Sequence, residues 1–337
     1  MRFTSCHFQW QSAGDQYFTF CSNYSWTMTN PSDEKLSLPL VNAAIFSSSY
    51  KSIAPSVQSI GLRTNGLRYR SLTFAQEQRT AEEFLLNTRV HRHDREMARS
   101  VEHYFVDQSV AMLSLLGQES TAGLRTIKLS PGIPLSIALG SAITQRRSCR
   151  SYTGDPLDFD ELSALLHSVG QVTGIAKVHL LQGGEASLRF RSVPSGGGLY
   201  PVDLYWVALN VAGLNPAVYK YLPVRDELVE VGDAAMLKRL LRCFSVPEEL
   251  LSIGRAAGIF VMVGQPWRSM RKYGGRGTRF MLMEVGAMSE HLHLAAVALG
   301  LGSVDCSSYY DDEMDEVLGF DGLYQMVLHT VVLGTPA

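Results

Sequence analysis

Cysteine is scarce. The 337 residues hold five, Cys6, Cys21, Cys149, Cys243 and Cys306, odd in number and far apart. With no CxxC among them, neither a disulfide framework nor a cysteine zinc site is expected. A surplus of charge of one sign is also missing: Lys+Arg 30 stand against Asp+Glu 32, a net charge of -2. A polyanion would find no basic excess to bind, so nucleic acid is not expected as a partner. Long apolar runs are lacking too. The longest, about Leu292 to Leu301, falls well short of the roughly 20 residues that span a bilayer, so no membrane partner is expected. Residues 1–14 mix His, Gln, Trp and Ser without an apolar stretch, which reads as no signal peptide and a cytoplasmic location. GxGxxG opening a helix, GxxxxGK[ST] and GxSxG are all absent, which removes a dinucleotide fingerprint, a P-loop and a nucleophile elbow. His91-x-His93 and His291-x-His293 look like ligand pairs. Both lie in helical patterns, where i and i+2 face opposite sides, so no metal is expected.

What is present supports a large core, with 46% hydrophobic and 18% charged residues. The length accommodates two domains, divided here as 1–124 and 125–337. Residues 1 to about 75 read as short strands and loops, and Thr80 to Leu116 as helical. A Gly- and Pro-punctuated linker runs from Gly117 to Pro134. Beyond it the pattern becomes regular. A helix over 135–145 precedes one from Asp158, opened by a capping box with Glu161. A hairpin is centred on Gly183-Gly184, and strands follow at 203–211, 217–221 and 227–231. A helix over 234–244 and a buried strand over 258–264 come next. A central helix over 278–299, almost wholly apolar, leads to a strand at 303–306, a helix over 311–318 and a last strand over 326–333. Strands and helices interleave around one sheet, an α+β pattern rather than a doubly wound one.

Three segments carry chemistry. In Thr144 to Tyr152 three guanidiniums, Arg146, Arg147 and Arg150, fall within five residues. In extended backbone Arg146, Ser148 and Arg150 share a side, a donor set suited to phosphate, although a solvated basic helix end has the same composition. Pro194-Ser-Gly-Gly-Gly-Leu-Tyr-Pro201 exposes main chain to a flat ligand, or is simply a flexible turn. Arg271 to Arg279 reads as a Gly-rich loop between the buried strand and the central helix. It sets Lys272 beside Tyr273, two proton carriers whose pKa values burial would shift.

Taken in order, these segments resemble the FMN-dependent nitroreductase-like family, and within it the SagB-type dehydrogenases that include azoline oxidases of thiazole/oxazole-modified peptide synthetases. The carrying motifs are Arg146 to Tyr152, Pro194 to Pro201 followed by Val202-Asp203-Leu204-Tyr205, and Lys272 to Arg279 running into Leu282-Met-Glu284-Val-Gly286. The ending from Ala298 to Pro336 matches as well. The resemblance covers about residues 125–337, and implies a mostly antiparallel sheet flanked by helices. It implies that Arg146, Ser148 and Arg150, with Arg147 nearby, hold the FMN ribityl chain and phosphate. Pro194, Ser195, Gly196 and Gly197 would lie along the isoalloxazine ring. Ser307 and Ser308 would present a backbone N–H to flavin N5, where relatives usually have glycine. Many nitroreductases place a further basic pair beyond the last strand; none follows here, and Arg276 or Arg279 is expected to compensate. Lys272 and Tyr273 match the Lys-Tyr pair needed by the azoline-oxidising relatives.

The implied activity is FMN-dependent oxidation of thiazoline or oxazoline rings in a ribosomally made peptide. An NAD(P)H-dependent nitro- or quinone-type reductase, an oxidase of a nonribosomal peptide line, and a flavin-stabilised scaffold subunit are the alternatives. The implied partners are an azoline-containing peptide, a second copy in a homodimer, and cyclodehydratase or synthetase subunits. Residues 1–124, outside the resemblance, would suit peptide or partner docking.

Overall fold

The structure is a computed structural model and describes residues 84–90, 99–101, 104, 121–179 and 185–337. Two compact units divide the chain, Met1–Asp94 and Arg95–Ala337. In the first, the described residues form a helical turn over 84–87, and the Thr88 hydroxyl donates to the Phe84 carbonyl at 2.6 Å. The strand-and-loop reading of 1–75, the pair His91 and His93, and most of the helical reading over 80–116 lie outside the described residues.

The second unit is built on a seven-stranded sheet. Its strands are β1 (Thr126–Lys128), β4 (Val202–Ala208), β5 (Ala217–Leu222), β6 (Glu227–Gly232), β7 (Gly258–Gly264), β8 (Gly302–Cys306) and β9 (Met326–Gly334). They lie in the order β1-β6-β5-β4-β7-β9-β8. Every neighbouring pair is antiparallel. A separate hairpin pairs β2 (Val172–His179) with β3 (Glu185–Arg191). The expected α+β class holds.

The helices are α1 (Leu139–Gln145), α2 (Phe159–Gly170), α3 (Ala234–Arg242), α4 (Pro266–Tyr273), α5 (Arg276–Ala298) and α6 (Asp311–Leu318). Helix α2 starts where the sequence places it, with the Asp158 N–H donating to Glu161 Oε2 at 3.1 Å in a capping box. Asp233 caps α3 by accepting from the N–H groups of Ala235 and Met236 at 3.0 and 2.9 Å.

Both faces of the sheet are covered, which is why β7 reads Gly-Ile-Phe-Val-Met-Val-Gly without polar alternation. Phe260 and Met262 face one core, with Leu204 and Trp206 of β4 and Met281, Met288 and Leu292 of α5. Ile259, Val261 and Val263 face the other, with Tyr205 and Val207 of β4, Leu237 and Leu240 of α3, and Met314 of α6. The strands are thus wedged between helical layers, and their ends fix the loops that matter below.

One expectation fails in an instructive place. The stretch leading to the central helix is not a loop: Pro266 sits at the first turn of α4, and Lys272 and Tyr273 form its last turn. Proline is tolerated there because its missing N–H has no helical partner at that position. Gly274, at φ 55°, then stops the helix and turns the chain into α5.

Candidate active site

The arginine segment leaves α1 and runs extended along the free edge of β8. Ser148 bridges Ser303 in parallel, and the Cys149 N–H donates to the Ser303 carbonyl at 3.0 Å. Cys149 turns inward over Gly302, where an added Cβ would sit only 2.6 Å from its sulfur. Alternation then directs Ser148 and Arg150 to the opposite side from Cys149, and both are exposed. Arg147 curls back, donating from Nη1 to the carbonyls of Thr144 (2.9 Å) and Arg146 (2.7 Å), as basic residues do at a helix C-terminus. Tyr152 anchors the end of the segment. It is buried, its hydroxyl donates to Cys149 O at 2.9 Å, and burial pushes its pKa far up.

The glycine loop lies between β3 and β4. Gly196–Gly198 form a single 3₁₀ turn in which Gly197 and Gly198 take φ values of 69° and 66°, and Tyr200 follows at φ 47°. A non-glycine residue there costs on the order of 1–3 kcal/mol and needs support. Tyr200 receives it from three sides. Its N–H donates to Ser195 Oγ at 2.9 Å, its hydroxyl accepts from the Arg191 N–H at 2.7 Å, and its carbonyl accepts from Arg268 at 3.2 Å.

The loop and the Lys-Tyr pair, 75 residues apart in sequence, meet. A Cβ on Gly197 would run into the Tyr273 hydroxyl and lie 3.2 Å from Lys272 Nζ, while one on Gly196 would press on Phe280 at 3.0 Å. Only glycine lets the main chain approach these groups so closely. Lys272 is 8% exposed, and its ammonium sits 5.0 Å from the Tyr104 ring centroid and 5.3 Å from that of Tyr273. Burial lowers the Lys272 pKa. Burial, followed by the neighbouring Tyr104, raises that of Tyr273. The Tyr273 ring meets Phe280 edge-to-face at 5.0 Å.

Two buried carboxyls brace this assembly, and the sequence reading gave neither a role. Asp203 on β4 accepts from Arg268 at 2.6 Å, Lys220 at 2.8 Å and Gln265 at 2.5 Å. Burial alone would raise its pKa, but Arg268 and Lys220 hold it well below the usual carboxylate range. Glu284 on α5 accepts from the Val202 N–H at 3.3 Å and lies beside Ser195. Burial lifts its pKa from 4.5 to about 7, against the lowering effect of Ser195 and Arg191. A carboxylate in the apolar text of a central helix was the available signal for Glu284.

Because the folded pKa of Glu284 lies above its unfolded value, folding favours the protonated form. Stability is then fullest below pH 4.5, falls as pH rises through about 7, and is level above it. At about 1.4 kcal/mol per unit this amounts to a few kcal/mol. Glu284→Gln is expected to flatten the pH dependence and to be the more stable protein at pH 8. Denaturant melts at pH 5 and pH 8 read this directly, and an unchanged slope would contradict it.

Ser307 and Ser308, after β8, are held by a separate set of contacts. Ser307 Oγ lies 3.1 Å from His329 Nδ1, and the Ser308 carbonyl accepts from the Ser245 N–H at 2.9 Å. Arg276 and Arg279 lie in the first turn of α5, both half-buried, with the Arg276 guanidinium 6.0 Å from the Phe280 ring. His291 and His293 point apart, as the helical spacing requires: His291 meets the Ser168 carbonyl and His293 the Ser303 hydroxyl, each at 2.8 Å. Among the described residues no cluster of three or more His, Cys, Asp or Glu is arranged to hold a metal, and no helix is long and apolar enough to cross a membrane.

The family model described as Nitroreductase family matches residues 143–335, from the arginine segment to the end of β9. The chain belongs to the nitroreductase family. It is therefore an oxidoreductase by descent, with the fold that the resemblance implied. Over 187 residues it is 34% identical to a Methanocaldococcus jannaschii protein whose name classes it as a nitroreductase, covering 54% of this chain and 84% of that one. Over 138 residues it is 30% identical to the microcin B17-processing protein McbC of Escherichia coli, covering 39% of this chain and 49% of that protein. Among solved structures, a nitroreductase-class protein from Anabaena variabilis superposes with a TM-score of 0.51 at 23% identity, over 65% of this chain and 43% of the other.

Proposed function

We propose that this nitroreductase-family chain is an FMN-dependent azoline dehydrogenase, oxidising thiazoline or oxazoline rings of a ribosomally made peptide to thiazoles or oxazoles. The observation that carries the reading is the contact of Gly197 with Lys272 and Tyr273. It brings the main chain of the glycine loop directly against two proton carriers, so a flat ring lying along that loop would meet them. The similarity to a protein named for processing microcin B17 supports a role in processing a microcin-like product.

The residues present fit FMN. Ser148 and Arg150 offer exposed phosphate donors at the start of β8, with Arg146 beside them. Ser307 follows its far end, about 13 Å away at the strand rise of about 3.3 Å per residue. A cofactor with an anionic tail and a flat head spans such a distance. Pro194, Ser195, Gly196 and Gly197 would lie along the ring, and the main chain at Ser307 and Ser308 would face N5. Bound FMN supplies the hydride acceptor. Lys272 or Tyr273 takes the Cα proton of the azoline, so that the substrate gives up a hydride and a proton and becomes aromatic. Burial of Lys272 favours the neutral amine that this step requires. The exposed apolar side chains Leu139 and Ile143 on α1 and Leu282 and Met283 on α5 suit a homodimer interface. Residues 1–124 would serve docking of the peptide or of cyclodehydratase subunits, in the cytoplasm.

The test begins with the visible spectrum of the purified protein and the flavin released on heating. A yellow protein releasing FMN and aromatising an azoline peptide is expected. A protein that neither carries nor binds FMN overturns the reading. The double variant Arg146→Ala/Arg150→Ala is expected to bind FMN at least about 100-fold more weakly, since each charged hydrogen bond lost contributes about 1.5–3 kcal/mol. Flavin titration at two salt concentrations measures this, and wild-type affinity in the variant would remove the arginines from the site. Identity to the Methanocaldococcus jannaschii protein favours a second reading, an NAD(P)H-dependent nitro- or quinone-type reductase. Rapid NAD(P)H consumption that survives Lys272→Ala would favour it over azoline oxidation.

A further inference from the structure

Behind Ser307 lies a polar chain that the azoline chemistry above does not use. His329 on β9 places Nδ1 3.1 Å from Ser307 Oγ and Nε2 2.6 Å from Asp305 Oδ1. Asp305 on β8 also accepts from Ser289 Oγ at 2.5 Å, and its Oδ2 lies 3.0 Å from His293 Nε2. His293 in turn meets Ser303 Oγ through Nδ1 at 2.8 Å. The Asp305 side chain is 51% exposed, yet three side chains from two other elements converge on it. The close approach of His293 and the hydrogen bond with His329 hold its carboxyl far below the usual range, so it is a fixed acceptor.

A fixed acceptor at Nε2 sets the tautomer of His329: Nε2 carries the proton and Nδ1 is left to accept. The Ser307 hydroxyl, exposed on its other side, therefore donates to the imidazole. Hydroxyl, imidazole and carboxylate in line form the arrangement that moves protons in acid–base catalysis. Holding β8 to α5 needs only Ser289 and His293, whereas His329 turns its second nitrogen to an exposed hydroxyl on the loop.

We propose that Ser307, backed by His329 and Asp305, is a proton-transfer group of the flavin site, serving the return of electrons to dioxygen. The proposal rests on the FMN reading above, which places the loop at N5. Reoxidation moves two electrons and the N5 hydrogen to dioxygen, and one further proton completes hydrogen peroxide. Solvent protonates His329 at Nδ1 beside the Asp305 carboxylate; that Nδ1–H then passes to Ser307 Oγ as the serine releases its own O–H proton to the peroxide, and the imidazole returns to its Nε2–H form. Asp305 keeps the imidazole oriented throughout.

The holoenzyme is reduced with dithionite and mixed with dioxygen in a stopped-flow instrument. A positioned acid typically contributes ~10²–10⁴-fold, and with water as a partial substitute Ser307→Ala and His329→Gln are expected to slow flavin reoxidation about tenfold or more. Ser307→Thr, which keeps the hydroxyl, should retain the wild-type rate, and imidazole in the buffer should restore His329→Gln. FMN content should persist in Ser307→Ala, because alanine keeps the backbone N–H. Imidazole ¹⁵N NMR gives a readout independent of turnover, with His329 expected as the Nε2–H tautomer in wild type and released from it in Asp305→Asn. FMN-loaded variants that reoxidise at the wild-type rate, or an Nδ1–H tautomer of His329, would overturn the relay and leave the flavin reading standing. A wild-type protein without FMN would overturn both.

Discussion

Lys272→Ala is expected to leave FMN bound and to cut azoline oxidation by ~10²–10⁴-fold, the range a positioned base supplies. Tyr273→Phe should cost less, and the double variant should abolish useful turnover. The asymmetry comes from the environment of the pair. Burial depresses the Lys272 pKa and so favours the neutral amine, a form able to accept a proton. Burial raises that of Tyr273, which keeps its phenol protonated and better suited to donate or to orient. FMN should persist because the phosphate donors lie on the segment beside β8, apart from α4. Rapid mixing of the oxidised variant with an azoline peptide isolates the step, since flavin bleaching then reports hydride transfer alone. Bleaching within a factor of about three of wild type would show that neither side chain carries the proton, an effect far below that of general base catalysis.

The site became legible unevenly, for physical reasons. The arginine segment and the glycine loop could be read because their composition is unusual: guanidiniums cluster in a nearly neutral chain, and three consecutive glycines stand between strands. Alternation of Arg146, Ser148 and Arg150 followed from strand geometry alone, and β8 supplies the edge that makes the segment extended. The order of β4 to β9 and the class of fold were also readable, since β7 and α5 announce burial by composition. The α4 helix was missed because two glycines after Tyr273 suggested a loop, whereas they mark only its end. Pro266 was the overlooked start signal. Meetings across long sequence separations could not be read from one sequence. Gly197 against Tyr273, and Asp305 between His293 and His329, are products of strand order. The pairings β4 with β7 and β8 with β9 create them, and neither pairing leaves a local trace.

Asp203→Asn should be strongly destabilising although it touches no reacting group. The carboxylate, with a side chain 10% exposed, faces Lys220, 7% exposed, and Arg268, 14% exposed. Removing its charge takes away the carboxylate shared by buried Lys220 and part-buried Arg268, and breaking such a pair from one side costs about 3–5 kcal/mol. At about 2–4 °C per kcal/mol for a unit of this size, the melting temperature should fall by roughly 10 °C. The damage should also reach the site. Arg268 bonds both Asp203 and the carbonyl of Tyr200, whose φ of 47° needs that support to hold the glycine loop against Lys272 and Tyr273. Loss of the carboxylate frees Arg268 to move, and FMN affinity should drop with stability. A second substitution separates the causes: Lys220→Met added to Asp203→Asn removes one of the two cations and should recover part of the stability. Calorimetry of the three proteins decides the matter. A single variant that melts with wild type would mean that Asp203 is not the anchor of this network, and the support of Tyr200 would then come from Ser195 and the Arg191 N–H.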